Sequence, residues 1–288
     1  MRNITLLSAK NMRSLKTEGA NQENFILDLV MLSHDGLHAT RDFLRHLKNN
    51  TDEELLNKIR IIWVDNGSSD GTPRYLENKF EEFGLNAILV VSSTNLGVIG
   101  GRNLGLKIIK EIMSQSDYVM FLDNDQYVQE GWLKHHISVM EEGEYDFIGV
   151  EAWKCNHRFL PVTKLDTQIN RAIHNVFNYV GCGGTMMKKE VFHKVGFLDD
   201  IFNPCYFEDP DYNIRVFNEG FKIGWNIKAK IVHMPHQTLG TLAKPEKTKR
   251  FIESMKKFQR KWNGKKMPVL KMPYLEAFKN EDSNSSKS

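Results

Sequence analysis

Tyr118-Val119-Met120-Phe121-Leu122-Asp123-Asn124-Asp125 opens on apolar and aromatic side chains and ends in two carboxylates one residue apart. A short apolar run of this kind predicts a buried strand, Tyr118 to Leu122. A carboxylate does not bury without a partner. On an extended backbone, positions i and i+2 face the same side, so Asp123 and Asp125 repel each other unless a cation lies between or beside them. Two readings fit. One is a solvated Asp-Asn-Asp turn. The other is a seat for a hard divalent cation, Mg2+ or Mn2+, which prefers carboxylate oxygens and keeps positions open for phosphate.

Upstream, apolar strands alternate with amphipathic helices. Phe25 to Leu32, Arg60 to Val64 and Ala87 to Val91 read as strands. Thr40 to Leu47 places Phe43, Leu44 and Leu47 at helical spacing. Thr51 to Glu54 forms a capping box that predicts a helix burying Leu55, Leu56 and Ile59. Thr72-Pro73 opens another helix, with Thr72 as its cap, and Gly100 to Met113 carries Leu104, Ile108 and Ile112 on one stripe. This alternation predicts an α/β fold with an open, mainly parallel sheet flanked by helices.

Three polar loops leave the ends of successive strands. Val64 to Thr72 (Val-Asp-Asn-Gly-Ser-Ser-Asp-Gly-Thr) begins with Asp65, which either caps its own turn or accepts hydrogen bonds from a base or ribose. Asn95 to Asn103 (Asn-Leu-Gly-Val-Ile-Gly-Gly-Arg-Asn) is either a tight strand-to-helix connection or a phosphate approach with Arg102 as counter-ion. Asp123 and Asp125 follow the next strand. In an open α/β sheet the carboxyl ends of the strands share one edge, where ligands bind. Three such loops together favour one site.

In the second half, Gly181, Gly183 and Gly184 mark a close backbone approach. Phe207-Glu208-Asp209-Pro210-Asp211 sets three acids before a helix that carries Arg215. Acids cap helix N-termini, and clustered acids also raise one another's pKa toward that of a general base. His233 stands at the exit of an apolar strand, with His236 close behind. From Thr241 to Lys266 the chain is basic, with Phe251, Met255, Phe258 and Trp262 at helical spacing. That stripe is expected to pack on the main domain, the alternative being an anionic membrane surface.

The chain has 288 residues, 41% of them hydrophobic, and a formal net charge of +3. That is enough for a substantial core, and too mild a charge to imply specific nucleic-acid binding. The three cysteines (155, 182 and 205) lack metal-type spacing and suit a reducing compartment. With no apolar leader or membrane-length run, the expectation is a cytoplasmic protein, peripheral at the membrane if the basic helix binds lipid. The expected division is an N-terminal arm (1–24), a main domain (25–240) and a basic helical extension with a disordered tail (241–288).

Taken in order, these pieces resemble family 2 glycosyltransferases of the GT-A fold, from about Leu27 to about Gly240, and most of all the bacterial rhamnosyltransferase-like branch with its Glu-Asp-x-Asp motif. The resemblance implies an inverting, metal-dependent enzyme. It would move a hexosyl or deoxyhexosyl group from a nucleotide-diphosphate sugar (UDP, GDP or TDP) to an acceptor hydroxyl, in a glycan or other glycoconjugate. Ser33, Asp65, Asn95, Gly97, Arg102, Asn103, Asp123 and Asn124 would bind the donor. Asp123, Asp125 and His233 (or His236) would hold Mn2+ or Mg2+. Asp209, or alternatively Glu208, would be the base, and Gly183, Gly184 and Arg215 would meet the acceptor. His34-Asp35-Gly36 departs from the family pattern after the first strand, which leaves the nucleotide open. The alternatives are a nucleotidyltransferase-like enzyme, disfavoured because no Lys lies near Ser33 to Gly36, and a non-catalytic nucleotide-sugar-binding protein of the same fold. A dinucleotide dehydrogenase lacks its Gly-x-Gly-x-x-Gly after the first strand.

Overall fold

The computed structural model describes residues 4–8, 25–112, 114–155, 161–164, 177–234, 244–263 and 265. Four parallel strands form the centre: β2 (Leu27–Ser33), β3 (Ile59–Asp65), β4 (Ala87–Ser92) and β5 (Tyr118–Asp123). They lie in the order β4-β3-β2-β5, so the chain steps outward from β2 and then returns to its other side. The carboxyl ends of β2 and β5 flank that reversal, where an open sheet splits into a cleft.

The sheet has eight strands. At one edge β1 (Ile4–Ser8) pairs antiparallel with β4. The Ile4-Thr5-Leu6-Leu7 run thus supplies an edge strand from a segment that reads as a polar arm. Beyond β5 lie β11 (Thr185–Lys188), β7 (Phe147–Gly149) and β12 (Ile223–Trp225). β11 runs antiparallel to β5, with Thr185 opposite Phe121, which brings the preceding Gly181–Gly184 turn to the same edge as Asp123. Two small sheets complete the strands: β8 (Ala152–Cys155) between β9 (Pro161–Lys164) and β10 (Phe177–Val180), and β6 (Gln126–Val128) with β13 (Ile231–His233).

Side chains of the central strands alternate between two cores, as a period of two requires. Leu29, Met31, Ile61 and Trp63 face one core, shared with Phe43, Leu44 and Leu47 of α1 (Leu37–Asn50) and Leu76 and Phe80 of α3 (Thr72–Glu82). Val30, Ile62, Val64 and Phe121 face the other, shared with Leu104 and Ile108 of α4 (Gly97–Glu111). Gly105 of α4 is required there, because a Cβ would lie 2.5 Å from Val30. The expected capping box forms only the single turn α2 (Glu53–Leu56), with Asp52 as its N-cap. Thr51 instead accepts a hydrogen bond from the Trp132 indole of α5 (Trp132–Glu141), and Ile59 begins β3. Thr72 is likewise not the cap of α3. Its backbone N–H and hydroxyl both donate to Asp70.

After α6 (Lys189–Val195) and a short 3-10 turn (Asp200–Phe202), α7 (Glu208–Asn218) carries the acids. The basic extension forms α8 (Lys244–Trp262), whose Phe258 and Trp262 are buried in the same core as α4, with Phe251 and Met255 packed against it. The remainder of the expected tail lies outside the described residues, as do the short segment before α8 and His236. Among the described residues no helix is long and apolar enough to cross a membrane.

Candidate active site

The loops after β2 and β3 are braced by each other. Asp65 is fully buried, and its carboxylate accepts bonds from the Ser33 hydroxyl (3.2 Å) and from the Ser68 N–H and hydroxyl (3.0 and 2.6 Å). Burial raises the Asp65 pKa, against the pull of those bonds. Asp35 accepts from the Ser69 N–H at 2.7 Å, and Asp70 accepts from the Leu37 N–H at 2.8 Å. Asp65 therefore lies beneath this loop as its internal brace, and Ser33 also accepts a bond from the Trp63 indole.

Asn66, a residue the sequence reading passed over, joins this loop to the next. Its amide donates to Asn95 Oδ1 (3.1 Å) and the Gly97 carbonyl (3.0 Å), and accepts from the Leu96 N–H (2.8 Å). Gly97 has φ of 79°, and a Cβ there would lie 2.7 Å from Pro204. Asn95 and Gly97 are thus tied into the connection between loops. Asn103 is engaged in the same manner, bonding Leu198 in both directions and donating to Asp200. Asn124 donates to the Thr40 hydroxyl at 3.0 Å. Asn95, Gly97, Asn103 and Asn124, the expected donor contacts, thus each have a partner within the protein.

Arg102, 4% exposed, is the electrostatic centre of the cleft. Its Nη2 donates to both Asp123 oxygens (3.0 and 2.8 Å), and Nη1 lies 3.9 Å from Glu208. Burial opposes its charge, but Asp123, with Asp209 and Glu208, more than offsets this, so the guanidinium stays protonated. Its Nε has no hydrogen-bond partner among the described residues.

The two carboxylates of the opening motif have different partners. β5 ends at Asp123 and a turn follows, so the same-side geometry of an extended chain does not hold. Asp123 turns to Arg102, while Asp125 Oδ1 lies 3.5 Å from His233 Nε2. The β6–β13 ladder sets the second pair: Gln126 is opposite His233, and the Met234 N–H donates to the Asp125 carbonyl. The hydrogen bond to Asp125 raises the His233 pKa against the effect of burial. Among the described residues no three His, Cys, Asp or Glu side chains converge on a metal position. Of the expected set, Asp125 and His233 lie together, while Asp123 faces Arg102.

Glu208 and Asp209 open α7, whose N-terminus favours negative charge. Asp209 Oδ1 accepts the Cys182 N–H at 3.1 Å, and the Cys182 thiol is a further hydrogen-bond partner of this carboxylate. Burial raises the Asp209 pKa, with Arg102 pulling it down. Burial and the neighbouring Asp209 push Glu208 up to about 8, again against Arg102, and its Oε2 has no partner among the described residues. Gly183 sits beside Gln126, where a Cβ would lie 2.7 Å from the amide, and Gly184 has φ of 81°. Arg215 is not at the cleft. It pairs with Asp211 (2.9 Å) and donates to the Val195 carbonyl, one turn and more along α7 from the acids. Nothing in the local sequence marks Cys182 or Asn66, because each acts on a residue about thirty positions away.

The sequence profile of glycosyl transferase family 2 matches residues 28–196. An uncharacterized glycosyltransferase of Bacillus subtilis, EpsJ, is 21% identical over 205 residues, covering 65% of this chain and 56% of that protein. One from Haemophilus influenzae is 29% identical over 100 residues, covering 32% of this chain and 38% of that protein. The chain thus spans roughly half the length of these relatives or less. S. aureus TarS residues 1–349, solved with UDP-GlcNAc, superimposes with a TM-score of 0.57 at 16% identity, covering 84% of this chain and 68% of that one. The Pyrobaculum calidifontis mannosyltransferase PcManGT, solved with GDP-Man and Mn2+, gives 0.60 at 13% identity, covering 89% and 70%. At these identities the structures establish a shared fold, the GT-A fold. The profile match takes in more than half of the chain, including the strands and loops that build the Asp65, Arg102 and Asp123 part of the cleft, and the chain belongs to glycosyltransferase family 2.

Proposed function

We propose that this protein transfers a sugar from a nucleoside-diphosphate sugar to an acceptor hydroxyl, with inversion at the anomeric carbon. The observation that carries this reading is the pairing, around Arg102, of a strand-end carboxylate with two acids, Glu208 and Asp209, whose proton affinity is raised. Asp209 is the base. It takes the acceptor O–H proton, the acceptor oxygen attacks the anomeric carbon, and the bond from that carbon to the diphosphate oxygen breaks on the opposite face. The Cys182 N–H fixes the Asp209 carboxylate, and Arg102 holds both oxygens of Asp123 beside the donor.

Asp125 and His233 fit a divalent cation. Ligands on adjacent positions at about 2.1 Å from an ion lie about 3 Å apart, close to the 3.5 Å between Asp125 Oδ1 and His233 Nε2. Bound there, Mn2+ or Mg2+ would offset the charge of the departing diphosphate. The structures of PcManGT with Mn2+ and of GalNAc-T7 with UDP, GalNAc and Mn2+ support a metal in proteins of this fold. The acceptor class proposed is carbohydrate, and residues 25–240 are the proposed main domain, with β1 of the arm and α8 of the extension packed onto it.

A thermal-shift screen of UDP, GDP and TDP sugars with and without Mn2+ tests the reading. A donor at a hundred times its Kd adds about 2.7 kcal/mol of stability. Asp125→Ala is expected to abolish the metal-dependent part of the shift. Full metal-dependent stabilisation in that variant would remove Asp125 from the metal site.

A further inference from the structure

The backbone directly before the acids is strained. Tyr206 and Phe207 take φ of 75° and 68°, consecutive left-handed conformations that side chains with a Cβ rarely adopt. Phe207 is the residue from which α7 starts, so its conformation sets the direction of the first turn, where Glu208 and Asp209 lie. Such strain persists only where the surroundings over-determine it.

The surroundings are α8. The Phe251 ring meets Tyr206 (centroids 5.6 Å) and Phe207 (5.2 Å), and Phe258 meets Phe207 (5.3 Å) and Phe202 (6.2 Å). The Ser254 hydroxyl, itself buried, donates to the Cys205 carbonyl at 3.0 Å. The Trp262 indole donates to Asp211 at 3.0 Å, and Lys261 pairs with Asp199 and Asp211, each at 2.6 Å. All of these contacts fall on residues 199–211, and none on the loops after β2, β3 or β5.

We propose that α8 is a positioning element for the acids: Phe251, Ser254 and Phe258 hold the Tyr206–Phe207 turn in its left-handed form and thereby set Asp209 at the cleft. This rests on Asp209 being the base. Loss of the clamp lets the turn relax toward ordinary backbone angles and swings the acids, while the donor-side loops keep their own braces. The split is therefore in turnover and not in nucleotide affinity.

Phe251→Ala in the full-length chain tests it, with Phe251→Leu as the conservative variant and Ile252→Ala, on the exposed side of the same helix, as control. Three readouts are compared. They are hydrogen–deuterium exchange across 205–212, turnover of UDP-N-acetylglucosamine and GDP-mannose with Mn2+ by released diphosphate, and calorimetric affinity for UDP and GDP. In Phe251→Ala, exchange across 205–212 is expected to quicken about tenfold or more while 27–33 and 119–123 keep wild-type protection. kcat is expected to fall about tenfold to a hundredfold, as for a displaced catalytic group. Nucleotide affinity stays within twofold, and Phe251→Leu recovers most of the loss. Unchanged exchange across 205–212 would overturn the proposal. So would an equal loss of exchange protection in β2 and β5, or an equal loss of nucleotide affinity, since either marks a merely structural helix. Full turnover by Asp209→Asn would instead remove the base assignment and leave the exchange data to decide the clamp.

Discussion

The two sides of the cleft are built on opposite plans. On the donor side, Asp35, Asp65 and Asp70 all accept hydrogen bonds from loop neighbours, and those to Asp70 hold its pKa low despite partial burial. On the acid side, Glu208 is buried and Asp209 partly so, one Glu208 oxygen has no partner among the described residues, and both pKa values are raised. The first side satisfies itself through hydrogen bonds within and between its loops. The second holds its groups away from their preferred states by packing and by one shared cation. A binding wall gains from low-energy, pre-organised carboxylates, whereas a base must want a proton.

The largest expected effect is on the acid side. Asp209→Asn retains volume and an acceptor for the Cys182 N–H, and transfer is expected to fall by about 10² or more, with donor affinity unchanged. If Glu208→Gln abolishes transfer and Asp209→Asn does not, the two roles exchange. Arg102→Met is next. It leaves three neighbouring acids without their counter-ion, and removal of one partner from a buried ion pair costs about 3–5 kcal/mol. Chemical denaturation checks this, and a loss below about 1 kcal/mol would show that the acid side does not depend on the shared cation. On the donor side, Asn66→Ala is expected to cost about 1–3 kcal/mol, the desolvation penalty of the groups it leaves unbonded. It should also loosen the 95–97 loop in hydrogen exchange without touching 205–212.

The acid side also carries a pH dependence. Glu208 has a folded pKa raised from 4.5 to about 8. Between those values the folded chain keeps a proton that the unfolded chain has released, so this group makes stability fall as pH rises through that window. Glu208→Gln is expected to flatten that decline. An identical Tm–pH profile in the variant would mean that Glu208 titrates normally.

The parallel core was legible because its signals are local. Apolar runs and helical stripes at 27–122 fix strands and helices residue by residue, and the loops bearing Asp65, Arg102 and Asp123 follow from strand exits. What escaped acts at long range. Asn66 reads as a turn former and bridges 29 to 31 positions, and Cys182 reads as a small apolar residue and reaches Asp209. The antiparallel β11 hides behind its glycines, and without it Gly181–Gly184 cannot be placed at the cleft. Arg215 pairs with Asp211 four positions before it, a local pair, and Asp211 is also held by Trp262, 51 positions away.

The β6–β13 ribbon has its own consequence. His233 meets Asp125 only through a three-residue register that sets Gln126 opposite it. Its neighbours Val232 and Met234 are both exposed apolar side chains, 46% and 47% accessible. A slip of one position, in either direction, presents valine or methionine to Asp125 in place of imidazole, because strand faces alternate. Insertion or deletion of a single residue between Asn226 and Ile231 thus works as an on/off tooth for the Asp125–His233 pair, with the eight-stranded sheet left intact.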